Sequence, residues 1–154
     1  MSSQDERRRL SIMLDYLFGR GVGSQLPREG LEVVYSRRSG RIKLVLHNKR
    51  VFATVKPSGA IALSVYGASL LTRSRTFRKS CVVVTDEAAA FVKQGKSAFC
   101  KFVIEAGSNV YPKGEVAVLD RVGRVVGVGS ATMRGEFMRE FKSGVAVKVR
   151  EGSG

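Results

Sequence analysis

Residues 81–150 decide the fold of this chain, because short apolar runs alternate there with turn-forming and charged residues. In order, the segments read Cys81-Val-Val-Val84, Lys96-Ser-Ala-Phe-Cys-Lys-Phe-Val103, Pro112-Lys-Gly-Glu-Val-Ala-Val-Leu-Asp120, Val126-Gly-Val-Gly-Ser-Ala131, Glu136-Phe-Met138 and Gly144-Val-Ala-Val-Lys-Val-Arg150. Short apolar runs bounded by turn signals are typical of β-strands. We therefore predict strands at residues 81–84, 98–103, 115–119, 125–129 and 145–150.

Two helices are predicted between these strands. Thr85 is a suitable N-cap for the first, and Gly95 is placed to end it in a left-handed conformation. The second is predicted at residues 135–141. The side chains expected to be buried are Phe91 and Val92 in the first helix, and Phe137, Met138 and Phe141 in the second. In the final strand, Val145, Val147 and Val149 are expected to point inward and Ala146, Lys148 and Arg150 outward.

Residues 9–65 predict a helix followed by an antiparallel sheet. Apolar residues at 10, 13, 14, 17 and 18 form one helical face, and residues 31–65 read as three or four strands. Ile42, Leu44 and Leu46 alternate with Lys43 and Val45, which indicates a strand with one buried face. A short helix is expected at 66–71. We interpret the basic segment at 73–79 as the crossing between two domains, residues 1–79 and 80–154.

Both halves carry a resemblance to known domains. The order and spacing of the motifs at 81–150 resemble the pseudouridine synthase and archaeosine transglycosylase (PUA) domain, a small RNA-binding barrel. The first half resembles the domain that precedes PUA in archaeal tRNA-guanine transglycosylase. The motifs that carry this second resemblance are Asp15-Tyr-Leu-Phe-Gly-Arg-Gly-Val-Gly23, Tyr35-Ser-Arg-Arg-Ser-Gly-Arg-Ile42, Ala60-Ile-Ala-Leu-Ser64 and Gly67-Ala-Ser-Leu-Leu71.

The resemblance implies an α+β fold, in which a helix-plus-antiparallel-sheet domain is followed by a PUA-type pseudo-barrel. It also implies an archaeal source and a structured RNA ligand, with tRNA the first expectation. In that family the C-terminal domains hold tRNA while a separate barrel exchanges guanine 15. The aspartate nucleophile and Cys/His zinc site of that barrel have no counterpart here. We therefore expect RNA binding without catalysis, metal or cofactor.

Catalytic and redox motifs are sparse in the sequence. Gly95-Lys96-Ser97 imitates the end of a phosphate-binding loop, but it follows a helix and lacks the preceding glycine. The one histidine, His47, is expected to lie exposed at a hairpin tip. Two cysteines cannot form a disulfide framework or a Cys-rich zinc site. Whether Cys81 and Cys100 form a disulfide with each other is left open by the sequence.

The charge distribution points to a polyanionic partner. The net charge is +14, and residues 1–80 carry 16 Lys and Arg against 5 Asp and Glu, a net +11. Such a basic excess favours binding to phosphates with release of counterions. Ribosomal, chromatin and membrane-surface proteins share this composition, so charge alone does not choose among them. No apolar run approaches the roughly 20 residues of a membrane span, and no signal peptide is apparent, so the cytoplasm is the expected location.

The predicted RNA-binding residues lie around the first helix end of the second half. A glycine-ended helix followed by Lys96 and Ser97 is expected to expose backbone N–H groups, a hydroxyl and an ammonium, which suit a phosphate. The resemblance extends this groove along the next strand and the last strand. The set is Gly95, Lys96, Ser97, Lys101, Lys148 and Arg150. Phe99 and Phe102 are expected to pack in the core rather than stack on bases.

Three functions remain open on the sequence. The first is a stand-alone protein that binds structured RNA. The second is an accessory subunit that supplies tRNA binding to a separately encoded transglycosylase or other RNA-modification enzyme. The third is a translation-associated factor. An independent hydrolase or transferase is disfavoured, because no nucleophile or general-base constellation is present.

Overall fold

A helix and a four-stranded antiparallel sheet form the first half of the chain. The structure is a computed structural model, and it describes residues 3–154. Helix α1 (Ser3–Phe18) is followed by a sheet in the order β1-β2-β3-β4, and helix α2 (Val65–Leu71) completes this half. The strands are β1 (Leu31–Tyr35), β2 (Ile42–His47), β3 (Arg50–Val55) and β4 (Ile61–Leu63). The predicted α+β architecture of this half is confirmed.

Helix α1 packs through the face that its sequence predicts. Leu10, Leu14 and Phe18 are buried at spacings of four residues, and Met13 and Leu17 pack beside them. Such spacing places the side chains on one stripe of a helix. The helix begins earlier than predicted, at Ser3, and Arg7 in its early turns donates to Pro27 O at 3.2 Å and to Leu26 O at 2.8 Å.

The β2–β3 hairpin has the predicted tip but a different buried face. Asn48 and Lys49 both have positive φ, at 49° and 70°, as a two-residue turn of this kind requires. The structure buries Val45 and leaves Leu44 and Leu46 only partly covered, so the predicted facing of β2 is wrong. A bulge at this point in the pairing with β3 interrupts the simple alternation.

Six strands form the sheet of the second half, in the order β6-β10-β9-β8-β5-β7. Only β5 and β8 pair in parallel. The strands are β5 (Cys81–Val84), β6 (Ala98–Phe99), β7 (Val103–Ala106), β8 (Glu115–Leu119), β9 (Val125–Ala131) and β10 (Val145–Gly152), and the helices are α3 (Asp86–Lys93) and α4 (Gly135–Met138).

The predicted strand at 98–103 is divided into two by a 3₁₀ turn at Cys100–Phe102. Strand β6 pairs with β10 at one edge of the sheet, whereas β7 pairs with β5 at the other edge. Because only one short turn separates β6 from β7, the two edges of the sheet must lie close together. The sheet therefore curls into a nearly closed barrel, as expected for a PUA-type fold.

Several aromatic side chains of the second half are more exposed than predicted. Phe91, Phe137 and Phe141 were expected in the core, but each is at least two-fifths exposed. Helix α4 ends at Met138, whose side chain is buried, so the flanking aromatic residues turn outward. In β10 the prediction for Ala146 is also wrong, because Ala146 and Val147 are both fully buried in a strand that has neighbours on both sides.

The two halves share one core. Residues Arg75–Ser80 form a 3₁₀ helix between them, and Phe77 is fully buried against Phe18, with ring centroids 5.3 Å apart and planes at 71°. Cys81 and Leu119 of the second half belong to the same apolar cluster. The division into domains at residues 79 and 80 remains a prediction, since apolar packing continues across it.

Candidate nucleic-acid interface

The turn after helix α3 is closed by its own backbone. Thr85 Oγ1 accepts a hydrogen bond from Ala88 N at 3.3 Å and caps the start of the helix, as predicted. At the other end Gly95 has φ +89°, also as predicted. Its N–H donates to Val92 O (2.9 Å) and that of Lys96 to Phe91 O (3.2 Å). These two amides satisfy the helix carbonyls, so the expectation that they are free to bind a phosphate is wrong.

A groove with aromatic walls lies beside this turn, with a volume of about 330 Å³. Phe91 of α3 and Phe99 of β6 line it and are 46% and 43% exposed, whereas Phe102 is partly buried. The remaining lining residues are Ala88, Lys96, Ser97 and Lys101. We call this feature the aromatic groove. Phe91 and Phe99 therefore present apolar ring surface to solvent at the groove.

Two ammonium groups lie over the rings of the aromatic groove. Lys96 Nζ is 5.3 Å from the Phe91 ring centroid, and Lys101 Nζ is 4.9 Å from that of Phe102. No acidic residue is among those that line the groove. Flat apolar rings beside mobile cations suit unstacked nucleobases and their phosphates. The expectation that Phe99 packs in the core is wrong, because the 3₁₀ turn that follows β6 leaves its ring outside.

The structure brings Lys96, Ser97 and Lys101 of the predicted set together in the aromatic groove. Gly95 lies in the adjoining turn without lining the groove, and Lys148 and Arg150 also lie outside it. Lys148 is exposed in β10, opposite Ser130 of β9. The Arg150 side chain is hydrogen-bonded to the Glu115 carboxylate of the same barrel and to the backbone of Leu63 in the first half. An RNA-binding role for Arg150 remains a prediction, and these contacts disfavour it because they already occupy the guanidinium.

Arg150 and Glu115 of the barrel both form hydrogen bonds with the first half. Arg150 Nη2 donates to Leu63 O at 2.7 Å, and its guanidinium forms a bidentate ion pair with Glu115. Glu115 Oε2 in turn accepts from Leu63 N at 2.6 Å. Burial raises the pKa of Glu115, although the Arg150 guanidinium opposes the shift. Both groups therefore have partners within the fold.

A second, larger groove lies on the sheet of the first half. It has a volume of about 760 Å³, and its lining includes Tyr35. The cationic residues of its lining are Arg9, Arg38, Arg41, Lys43 and Lys56, with no acidic residue among those that line it. We call it the basic groove. The sequence indicated only the bulk excess of positive charge, because these five residues come from helix α1, two turns and β2.

His47 differs from its predicted setting. It is the last residue of β2 rather than part of an exposed tip, and its Nδ1 is 2.6 Å from Tyr66 Oη. The cysteines are both buried and free, so the disulfide left open by the sequence is not formed. Burial raises the pKa of the Cys81 thiol to about 12. It also raises the pKa of Cys100, so neither thiol is set up as a nucleophile.

Asp120 is a structural group at the β8–β9 turn. Its carboxylate accepts from Val122 N at 3.1 Å and from Arg124 N at 2.9 Å, and it pairs with Arg124 Nε at 3.0 Å. Desolvation opposes ionisation, but these donors outweigh it and lower the pKa of Asp120. Within residues 3–154, no group of three or more His, Cys, Asp or Glu side chains could hold a metal ion. Over the same residues, no helix has the length and apolar character needed to cross a membrane.

Two family models cover most of the chain. Residues 81–152 match the PUA domain, and residues 8–78 match the patch-forming domain C2 of tRNA-guanine transglycosylase. Among curated proteins, the chain is 34% identical over 145 residues to the tRNA-guanine(15) transglycosylase of Thermoplasma acidophilum. It is 32% identical over 149 residues to that of Thermococcus kodakarensis. These alignments cover 94% and 96% of this chain but only 23% and 25% of the enzymes.

Solved structures show the same fold over the whole chain. A hypothetical protein of Pyrococcus horikoshii superposes with a TM-score of 0.74 at 22% identity, covering 99% of this chain and 92% of that one. A conserved PUA domain protein of Thermoplasma acidophilum gives 0.65 at 19% identity, covering 100% and 92%. The chain therefore consists of a PUA domain at residues 81–152, preceded at residues 8–78 by a patch-forming domain of the C2 type found in tRNA-guanine transglycosylase.

Proposed function

We propose that this chain binds structured RNA, with tRNA as its ligand, and catalyses no reaction itself. The aromatic groove carries the proposal, because it combines exposed rings with two lysines at one end of a PUA domain. Stacking on such rings holds unpaired bases, while ammonium groups neutralise adjacent phosphates. Lys96, Ser97 and Lys101 are the proposed contacts, and the cytoplasm is the proposed location.

The basic groove supports a second part of the contact. Its cations are spread over about 760 Å³ without a lining carboxylate, so it suits a stretch of phosphate backbone better than a single small anion. Backbone contacts fix orientation and add affinity without reading sequence. The first half therefore anchors the RNA, and the second half reads unpaired nucleotides.

An accessory role is the second candidate. The chain spans about a quarter of the length of its curated relatives, which are named as transglycosylases, and it matches their C-terminal domains. A subunit of this kind would supply tRNA binding to a separately encoded enzyme. A transglycosylase barrel without C-terminal domains in the same genome would favour this role. A full-length transglycosylase would favour the stand-alone one.

Lys96→Ala and Lys101→Ala test the aromatic groove. Each should weaken RNA binding, by an amount that is similar for different RNAs, and should reduce the slope of log affinity against log salt by about one. Both residues are exposed, so folding should be unaffected. Binding to a tRNA transcript by fluorescence anisotropy at several salt concentrations is the measurement.

Lys142→Ala is the matched control for these variants. Lys142 is exposed in the same half of the chain and forms no salt bridge within residues 3–154. If Lys142→Ala loses as much affinity as Lys96→Ala, the aromatic groove is an ordinary basic surface. In that case the assignment of the groove fails, although nonspecific binding remains.

Incubation of the protein with tRNA and radiolabelled guanine should give no exchange. Both thiols are buried and the Asp120 carboxylate is tied to a turn, so none of these three groups is placed as a nucleophile. The measurement is acid-precipitable radioactivity, with an active transglycosylase as the positive control. Exchange by the chain alone would overturn the proposal that it has no catalytic role.

A further inference from the structure

A third pocket lies where the end of β10 meets helix α2 and strand β3, with a volume of about 370 Å³. We call it the seam pocket. Arg50 and Tyr66 of the first half line one side, and Glu151 of β10 and Ser153 just after it line the other. The two sides are fixed relative to each other, because Glu151 Oε1 accepts a hydrogen bond from Val65 N at 2.8 Å.

A planar cation covers an aromatic ring in this pocket. The Arg50 guanidinium carbon is 3.8 Å from the Tyr66 ring centroid, which is contact distance. Tyr66 is fixed in turn by its 2.6 Å hydrogen bond with His47 Nδ1, and the two rings are inclined by only 11°. His47 and Arg50 are paired directly across the β2–β3 hairpin, so the hairpin positions the whole arrangement.

Arg50 is available to a ligand. It is exposed, and within residues 3–154 it forms no salt bridge. The guanidinium of Arg50 is planar, so it offers a flat surface on which an unstacked nucleobase can stack. Lysine would keep the charge at this position but would lose the plane.

The remaining polar groups favour a base over a phosphate. The exposed Glu151 carboxylate repels a phosphate, whereas it can accept hydrogen bonds from the exocyclic amino group of a base. Ser69 and Ser153 add hydroxyl groups to the lining. The seam pocket differs in this respect from the basic groove and the aromatic groove, whose linings include no carboxylate.

The strand that lines the seam pocket also packs against the end of helix α3. Gly152, between Glu151 and Ser153, lies against the end of α3, and a Cβ there would come within 2.6 Å of Gly95 N and 2.3 Å of Lys93 O. The strand that lines the seam pocket therefore contacts the turn that carries Lys96.

We infer that the seam pocket binds one unpaired nucleobase of the RNA, which stacks on the Arg50 guanidinium and directs its amino edge toward Glu151. This inference rests on the proposed RNA-binding function and adds a second base-binding position, formed jointly by both halves of the chain. The ligand class is a single-stranded nucleotide next to a helical stem, not a duplex.

Arg50→Lys provides the test. The probes are an RNA hairpin with a short single-stranded 3′ tail and the blunt hairpin with the same stem. We expect Arg50→Lys to weaken binding of the tailed hairpin about tenfold, because stacking is lost while the charge is kept. Affinity for the blunt hairpin, and the salt slope for both, should stay as in the wild type. Arg28→Lys, at an exposed position of the same half that lines none of the three pockets, is the matched control.

The outcomes separate this inference from the proposed function. The seam site would be overturned if Arg50→Lys bound the tailed hairpin as tightly as the wild-type protein does. It would also be overturned if the variant lost the same affinity for the tailed and the blunt hairpin. Lys96→Ala would in either case still report on the aromatic groove. Failure of the wild-type protein to bind the hairpins and a tRNA transcript would overturn the proposed function itself. Thermal unfolding of Arg50→Lys should match the wild type, because the exposed side chain contributes little to the core.

Discussion

Phe77→Ala is expected to lower the free energy of unfolding by about 3–5 kcal/mol, the usual cost of removing a fully buried phenylalanine. Phe77 has no exposed surface, and its ring packs edge-to-face on Phe18 of helix α1. It comes from the segment that joins the two halves, so the cavity would open in the core that they share. Urea denaturation followed by circular dichroism measures the loss.

Phe141→Ala is the matched control for this prediction. Phe141 is 51% exposed and follows the last turn of α4, so its removal should change stability by no more than about 0.5 kcal/mol. A single transition with a reduced midpoint is expected for Phe77→Ala. A loss below about 1 kcal/mol would show that the two halves do not depend on the shared core.

The helices and strands were predictable where the spacing of nearby apolar residues or a helix-capping residue determines them. Leu10, Leu14 and Phe18 mark a helix by spacing alone, and Thr85 and Gly95 mark the two ends of another. Strands β5, β8 and β9 follow from runs of valine between turn signals. Each of these features depends on residues that are close in the sequence, and each is confirmed.

The errors arose where distant parts of the chain decide the outcome. The apolar run at residues 98–103 has the composition of one strand, but barrel closure needs a 3₁₀ turn within it. That turn leaves Phe99 on the surface, and the spacing of apolar residues around Phe99 in the sequence does not indicate this. Arg150 looked like a free cation because its partner, Glu115, lies 35 residues away along the chain.

The candidate site was predicted in part for the same reason. Lys96, Ser97 and Lys101 are close in sequence and line one groove, although the amides of Gly95 and Lys96 are used by the helix end. The aromatic groove needed Phe91 from α3 beside Phe99 from β6, and the seam pocket needed both halves. Surfaces built from several elements require the topology before they can be recognised.

The salt dependence of RNA binding should be steep. If about five phosphates are neutralised by the basic groove and the two groove lysines, affinity should fall by two to three orders of magnitude between roughly 50 and 200 mM salt. The reason is the entropy of the counterions that the RNA releases, which decreases as salt increases. Anisotropy titration of a tRNA transcript against the wild-type protein measures this slope.

The double variant Arg38→Ala/Arg41→Ala shows where the charge acts. Both residues line the basic groove on the β1–β2 turn, so their removal should reduce the salt slope by about two and weaken binding of all RNAs alike. Arg50→Lys, in contrast, should leave the slope unchanged and affect only RNAs with unpaired bases. Two results would show that the positive charge of the protein binds polyanions nonspecifically. One is an affinity of the wild-type protein that does not change with salt, and the other is displacement of tRNA by heparin as effectively as by unlabelled tRNA. The assignment of phosphate-backbone binding to the basic groove would then have no support.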